Sequence, residues 1–579
     1  MPVISMDITD LERLVGDGFS LEEFVERIPM IGASVEKVEG DEISVEFFPD
    51  RPDLFSVEGV ARAYRDLMGK GDPGIDDRMR VEEGPVMTLE VDPGVLGVRP
   101  VIGAAHLTNV RIDERTLVSI MNLQEKLHIT VGRKRRKVAI GIHDAGPIKA
   151  PFRYWAAAPD EVEFVPLQKE GKWNLERILR EHEKGMEYAW TLEGLDRYPM
   201  ITDAEERVLS FPPIINGELT RVSQETTSIF VDCTGWDLNA VSLSVNIVCS
   251  QLLDRGGRLH PVVVRYPKTR DFMDLGLTTR QWPMFVWKPV VLDLSWAGSW
   301  LGKGFTSEQV TSSLIRSGYR GIEIEDGRVT CRVPPWRGDI LHQADIAEDL
   351  AIGYGFDNFS GSEPRANMTG NERKLSTISR ELRRSLIGMG FLEVRTLSLS
   401  NEEDQFVLMD RPEVDHMRIT NPITTEHTMI RFSSIPSLMG ILKANKHRDL
   451  PQRIFETADI MVGNRSRNVI AGLSEDSKAS FTEIKGVVQR LLSDLEIVYE
   501  LESASMGCYI RGRGAAIKVK GNGKRGGPFP ELAGGSAVVI GHFGELHPRI
   551  ISSTELSAPV SGFEMDMDLI VDLLGSKDH

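Results

Sequence analysis

Cysteine is scarce: Cys233, Cys249, Cys331 and Cys508 are the only four in 579 residues. They are too few and too scattered for a disulfide framework, and no CxxC pair offers the ligand spacing of structural zinc. Long apolar runs are missing too. Nothing approaches the roughly 18 consecutive apolar residues of a membrane-spanning helix. The opening MPVISMDITDLERLV is acidic where a signal peptide is basic and then apolar, so a cytoplasmic chain is expected. There is no GxxxxGK[ST] phosphate loop, no GxGxxG after a strand, no GxSxG elbow and no HExxH. An enzyme working alone is not established by any of these motifs.

What is present is an ordinary globular composition, 41% hydrophobic and 27% charged, in a chain too long for one core. Roughly three to five domains are expected. The formal charge of −18 keeps the chain soluble and does not draw nucleic acid overall. No membrane or DNA partner is expected, although a local basic surface on an acidic body can still hold RNA phosphates.

The chain reads as an α+β multidomain protein. Residues 1–70 form a small unit. Helices are expected at Asp10–Leu14, Ser20–Arg27 and Ser56–Met68, and Ile43, Val45 and Phe47 alternate as on a half-buried strand. Residues 86–270 mix strands (VIGAAHLTNV, KVAIGIHD, Pro261–Tyr266) with helices (Glu114–His128, Leu175–Gly185), as one α+β domain does. Within 274–359, a helix (Ser307–Ser317), a hairpin turning at Asp326-Gly327 and a helix (Asp345–Tyr354) suggest a winged-helix-like module. SGSEPRANMTGNE, 360–372, is the clearest linker. Residues 373–579 open on a long helix and continue as a mainly antiparallel sheet with helices.

Three stretches carry candidate chemistry. In RGDILHQADIAEDL, Asp345, Glu348 and Asp349 stand at i, i+3 and i+4 and can share a helical face, with Asp339 six residues ahead. Carboxylates packed this way repel unless a cation or arginines neutralise them, and hard oxygen ligands suit Mg²⁺. The other reading is a helix start enriched in acid by the dipole, with Arg337 pairing one of the carboxylates. In GRKRRKVAI, the consecutive cations Arg133, Lys134, Arg135, Arg136 and Lys137 suit RNA phosphates, a solvated loop edge or an acidic partner surface. The third stretch, 211–237, combines Pro212-Pro213, Asn216, Glu218, many hydroxyls and Asp232. It suits either a polar pocket or a run of well-capped turns. His143, beside Asp144, is weaker evidence, because neighbours on a strand face opposite ways. A basic, glycine-rich stretch at 518–527 reads as a loop.

In order along the chain, these segments resemble the phenylalanine–tRNA ligase beta-subunit family of the archaeal/eukaryotic-like type. FFPDRPDLFSVEGVARAYRDLMG (47–69) is similar to its N-terminal signature. NLQEKLHITVGRKRRKVAIGIHD (122–144), PFRYWA (151–156) and PPIINGELTRV (212–222) are similar to its editing domain. VPPWRGDILHQADIAEDLAIGYGFDNF (333–359) resembles the module that follows. NPITTEHTMIRFSSIPSLMGILKANKHRDLPQRIFETADI (421–460) and GHFGELHP (541–548) resemble its last domain.

The resemblance implies an α₂β₂ assembly in which an alpha subunit uses ATP to attach phenylalanine to tRNA(Phe). It implies a catalytically inert class II synthetase-like C-terminal domain, in keeping with the lack of any arginine after Arg549. It places Mg²⁺, at the junction with the alpha subunit, on Asp339, Asp345, Glu348 and Asp349. It makes the middle domain a hydrolase for mischarged Tyr-tRNA(Phe), with Asn216 and Glu218 as the first candidates for polar pocket groups and His143 after them; Arg133, Lys134, Arg135 and Arg136 of the basic run are the candidates for tRNA binding. One departure stands out: Asp50 replaces the usual Asn before Arg-Pro-Asp, which puts any contact by that side chain in doubt. The chain also lacks room for the extra anticodon-binding domains of the bacterial form. The competing expectations are a scaffold whose editing pocket has decayed and a stand-alone amino-acid- or nucleotide-binding protein.

Overall fold

The computed structural model describes residues 2–84, 86–361, 363, 368–520 and 537–575. The expected linker at 360–372 and the glycine-rich stretch at 518–527 lie partly outside the described residues. The chain divides into two compact units, Met1–Glu363 and Pro364–His579. Among the described residues no helix is long and apolar enough to cross a membrane.

The first unit begins with a three-stranded antiparallel sheet in which Glu42–Phe47 lies between Val3–Asp7 and Ala33–Glu39. Ile43, Val45 and Phe47 point inward from the middle strand and are fully buried. The outer two strands are not evident in the sequence reading, since Ala33–Glu39 is largely exposed and has no alternating pattern. Helix Val57–Leu67 starts where Ser56 Oγ accepts from Gly59 N at 3.2 Å. Buried charge ties this region to the next. Arg255 donates to Asp10 at 2.6 and 2.9 Å and to Glu58 at 2.7 Å, and Arg62 pairs with Asp254.

The middle of the unit holds two large sheets and a small two-stranded one, Glu163–Phe164 with Trp173–Asn174. In the four-stranded sheet the order is Arg258–His260, Val101–Thr108, Ile229–Gly235, Val138–Asp144, all antiparallel. Every residue of Ile229–Gly235 is buried, and helix Leu238–Asp254 packs against this sheet. The seven-stranded sheet is mixed: Met87–Val91 runs parallel to both Val262–Arg265 and Phe152–Ala157. The expected helix at 175–185 is two short helices, Leu175–Glu181 and Glu183–Tyr188, broken at His182, whose Nδ1 caps the second.

The small module that follows is richer than a helix–hairpin–helix. A strand, Lys288–Asp293, and a helix, Leu294–Leu301, precede helix Ser307–Arg316, the hairpin Arg320–Glu325/Arg328–Val333 and helix Gln343–Tyr354. The extra strand lies at the edge, where Pro289 costs no ladder bond. Asp326 and Gly327 both have positive φ, 46° and 75°, as a two-residue type I′ turn requires.

The second unit is built on a seven-stranded sheet ordered Leu392–Glu393, Gln452–Val462, Arg465–Glu475, Val560–Asp566, Ala537–Leu546, Tyr509–Lys520, Glu500–Ser503. All neighbours are antiparallel except the first pair. Alternation along the strands feeds two cores. Phe455 and Ile470 join helices Lys374–Gly388, Phe481–Asp494 and Met567–Gly575, while Ile454 and Ala471 join helix Ile435–Ala444.

Candidate functional site

A cleft of about 670 Å³ opens in the middle of the first unit, and its polar lining includes Gln124, His128, Ser210, Asn216, Thr220 and Asp232. Its anionic group is set by strand register. Asp232 lies directly opposite Gly141, and His143, two residues on, shares Gly141's face of the sheet. Because Gly141 has no side chain, the diagonal partners meet: His143 Nε2 and Asp232 Oδ2 are 2.6 Å apart. A Cβ at Gly141 would overlap both of those atoms. His143 Nδ1 lies 2.7 Å from Thr220 Oγ1, and the ring is fully buried. The imidazole therefore fixes a carboxylate and a hydroxyl that both line the cleft.

Other groups are held as firmly. His128 Nε2 accepts from Ile140 N at 2.8 Å, so that nitrogen carries no proton; burial pulls the imidazole down to about 4, and it is neutral at neutral pH. Gln124 donates to Ile140 O at 2.7 Å, and Asn216 Nδ2 makes a longer bond of 3.4 Å to Ile142 O. Ser210 Oγ is buried and has no hydrogen-bond partner among the described residues. An unpaired buried hydroxyl in a cleft wall is a group left free for an occupant.

Of the three pocket groups expected from sequence, Asn216 lines the cleft. His143 stands behind it and acts through Asp232 and Thr220. Glu218 is not among the lining residues, but it accepts from Gln168 N at 2.7 Å and pairs with Arg221 at 3.3 Å, and both of these line the cleft. Ser210 and Thr220 went unnoticed in the sequence, and Asp232 was only one polar residue among many. The usable signal was the acid itself, since a carboxyl buried within a mostly apolar strand must be hydrogen-bonded or paired.

The basic run folds unexpectedly. Arg133, Lys134 and Arg135 have φ of 47°, 54° and 66°, three consecutive non-glycine residues in the left-handed region. Each costs about 1–2 kcal/mol, and such residues normally occur singly. The turn is closed by bonds from Gly132 N to Leu127 O, Arg135 N to His128 O and Lys137 N to Gly132 O. Arg135 folds inward, donating to Pro213 O and Ile214 O at 3.2 and 2.9 Å and lying over the Tyr188 ring. As a wall of the cleft and an anchor of the turn, it is not free for RNA, whereas Arg133, Lys134 and Arg136 are exposed.

The four carboxylates of the small module do not act as one set. Arg337 donates to Asp339 at 2.5–3.1 Å and to Asp349 at 2.8 Å, and Tyr319 Oη donates to Asp349 at 2.7 Å. Asp345 Oδ2 accepts from Leu341 N and His342 N, both at 2.7 Å, at the start of helix Gln343–Tyr354. Glu348 is exposed, and its carboxyl is raised by partial burial and then by Asp349, Asp50, Asp345 and Asp339. Burial works to raise the Asp339 carboxyl, but Arg337 and Arg51 outweigh it and hold it low. Among the described residues no group of three or more His, Cys, Asp or Glu side chains is arranged to hold a metal ion. In this conformation the four carboxylates do not by themselves fit Mg²⁺, because Arg337 already neutralises two of them.

Comparison with known proteins accounts for each of these regions. Three family models match: the B3/4 domain over 107–251, the tRNA synthetase B5 domain over 290–356, and the phenylalanyl tRNA synthetase beta chain CLM domain over 361–567. The phenylalanine–tRNA ligase beta subunit of Methanothrix thermoacetophila is 39% identical over 98% of this chain and 100% of its own length. That of Archaeoglobus fulgidus is 38% identical over 99% of each chain. The crystal structure of an N-terminal fragment of the Pyrococcus horikoshii phenylalanyl-tRNA synthetase beta subunit is 34% identical, with a TM-score of 0.55. The match covers 61% of this chain and 99% of the fragment. The chain belongs to the phenylalanine–tRNA ligase beta-subunit family, in its archaeal form.

Proposed function

We propose that this chain serves as the beta subunit of an α₂β₂ phenylalanine–tRNA ligase and that its cleft hydrolyses tyrosine wrongly esterified to tRNA(Phe). Attachment of phenylalanine, with ATP and Mg²⁺, is then the work of the alpha subunit. Residues 1–70 are the N-terminal domain, 86–270 the editing domain, 274–359 a winged-helix-like module and 373–579 a catalytically inert class II-like domain. Mg²⁺ held near Asp345 and Glu348 would draw its remaining ligands from beyond this chain, and no step of the hydrolysis runs through it.

The observation that carries the editing reading is the cleft wall of Asn216, Thr220 and Asp232, with His143 locking the last two. A hydrophobic synthetic pocket discriminates weakly against an added hydroxyl, so accuracy needs a second site that offers that hydroxyl a hydrogen bond. Asp232 supplies a fixed acceptor and Asn216 an amide within the same cleft. The attacking nucleophile is water, placed in part by the terminal hydroxyls of the tRNA. The near-full-length relatives and the B3/4 match over the cleft residues support this assignment.

The test is deacylation by the assembled enzyme. Tyrosyl-tRNA(Phe) should be hydrolysed far faster than phenylalanyl-tRNA(Phe). Equal, background-level decay of both would leave the chain as a tRNA-binding scaffold with a decayed pocket.

A further inference from the structure

We propose that the left-handed turn at Arg133–Arg135 is a phosphate clamp, in which Arg133, Lys134 and Arg136 hold the single-stranded 3′ end of the RNA whose terminal ester enters the cleft. This rests on the editing reading of the cleft and gives that site its polymer-recognising part.

Three observations converge. The first is charge. Arg133, Lys134 and Arg136 are exposed and have no ion-pair partner among the described residues, on a chain whose formal charge is −18. Their neighbours are paired: Lys137 with Asp237 at 3.4 Å, Arg135 with Glu125 at 3.6 Å.

The second is rigidity. The turn is pinned on two sides by arginines. Arg135 grips the Pro213 and Ile214 carbonyls of the cleft wall. Buried Arg99 donates to the carbonyls of Arg135 and Arg136 at 3.1 and 3.2 Å, and to Thr234 Oγ1 and O at 2.9 and 2.8 Å. Thr234 lies two residues from Asp232 on the same strand. The basic turn and the cleft's carboxylate are therefore held by one framework.

The third is strain. Three consecutive left-handed side chains persist only where the surrounding structure over-determines them, and such strain concentrates at functional positions. A solvated loop edge needs neither the strain nor two guanidinium anchors. Among the described residues Arg99 makes no hydrogen bond to a carboxylate, with Asp232 acting on it only through space, and its buried charge lies beneath the turn.

The experiment uses the assembled enzyme carrying Arg133→Asn, Lys134→Asn and Arg136→Ala together, asparagine being chosen because it tolerates positive φ. Two substrates separate the roles: tyrosyl-tRNA(Phe), and 3′-O-tyrosyl-adenosine, which has no phosphate. The triple variant should lose roughly tenfold or more in kcat/KM on the tRNA and nothing on the nucleoside ester. Its log–log salt dependence should be shallower by about 0.7 for each phosphate the variant no longer neutralises. Arg135→Ala, which frees the cleft wall, should impair both substrates. Unchanged tRNA deacylation, or an equal loss on both substrates, overturns the clamp. Loss of assembly with the alpha subunit overturns it in favour of a protein-facing surface. A wild-type enzyme inactive on both esters removes the editing reading beneath it.

Discussion

Arg337 donates to the Asp349 carboxylate at 2.8 Å with both side chains nearly buried, 4% and 6% exposed. The same guanidinium grips Asp339, so the cation the sequence led us to seek is in part a side chain of the protein itself. Burial pushes the Asp349 carboxyl up in spite of this partner, and Tyr319 is raised well above its ordinary value by burial and then by Asp349.

Arg337→Met removes the guanidinium hydrogen-bonded to two partly or wholly buried carboxylates, leaving Asp349 only its Tyr319 hydrogen bond, and should destabilise the first unit by about 3–5 kcal/mol. Denaturant unfolding of the isolated chain measures the loss. Millimolar Mg²⁺ should restore part of it, because a divalent ion can take over the neutralisation. Wild-type stability in this variant would show that the pairing contributes little.

Gly141→Ala places a methyl where Asp232 Oδ2 and His143 Nε2 meet. Overpacking of this kind costs about 1–3 kcal/mol. The larger effect should be on the cleft: deacylation falls while phenylalanine activation by the assembled enzyme is unchanged. An alanine variant that deacylates normally would show that the His143–Asp232 pair is not needed.

Acid should weaken the second unit through His542. Burial, with a smaller contribution from Arg411, lowers this imidazole to about 3; its Nδ1 lies 2.7 Å from Tyr509 Oη. A lowered histidine favours the fold while neutral, so its contribution is complete above about pH 6.5 and is lost as pH falls toward 3. The slope is up to about 1.4 kcal/mol per pH unit. Unfolding midpoints measured between pH 7 and 4 should fall more steeply for the wild type than for His542→Gln. Parallel curves would contradict the assignment.

What the sequence disclosed was local. The Asp326-Gly327 turn needs only two residues that tolerate positive φ, and Ile43, Val45 and Phe47 announce the middle strand of the first sheet by alternation. Asn216 was legible because its neighbours force a turn beside it. Glu218, in the same motif, was not, because its direction depends on Gln168, fifty residues away. Asp232 becomes meaningful only once register sets it against Gly141, a pairing across 91 residues. Asp345, Glu348 and Asp349 do lie on one helix, but Asp349 faces Arg337 and Tyr319 while Glu348 faces outward. Which way each one faces is decided by packing from other elements, which spacing does not encode.

The most direct test is single-turnover deacylation of tyrosyl-tRNA(Phe) by the assembled enzyme with Asp232→Asn. An amide cannot replace the carboxylate as an acceptor toward both His143 and the occupant. Removing a buried hydrogen bond worth about 1–3 kcal/mol predicts a fall of roughly 5- to 150-fold, with phenylalanine activation intact. Deacylation at the wild-type rate in this variant would contradict the account.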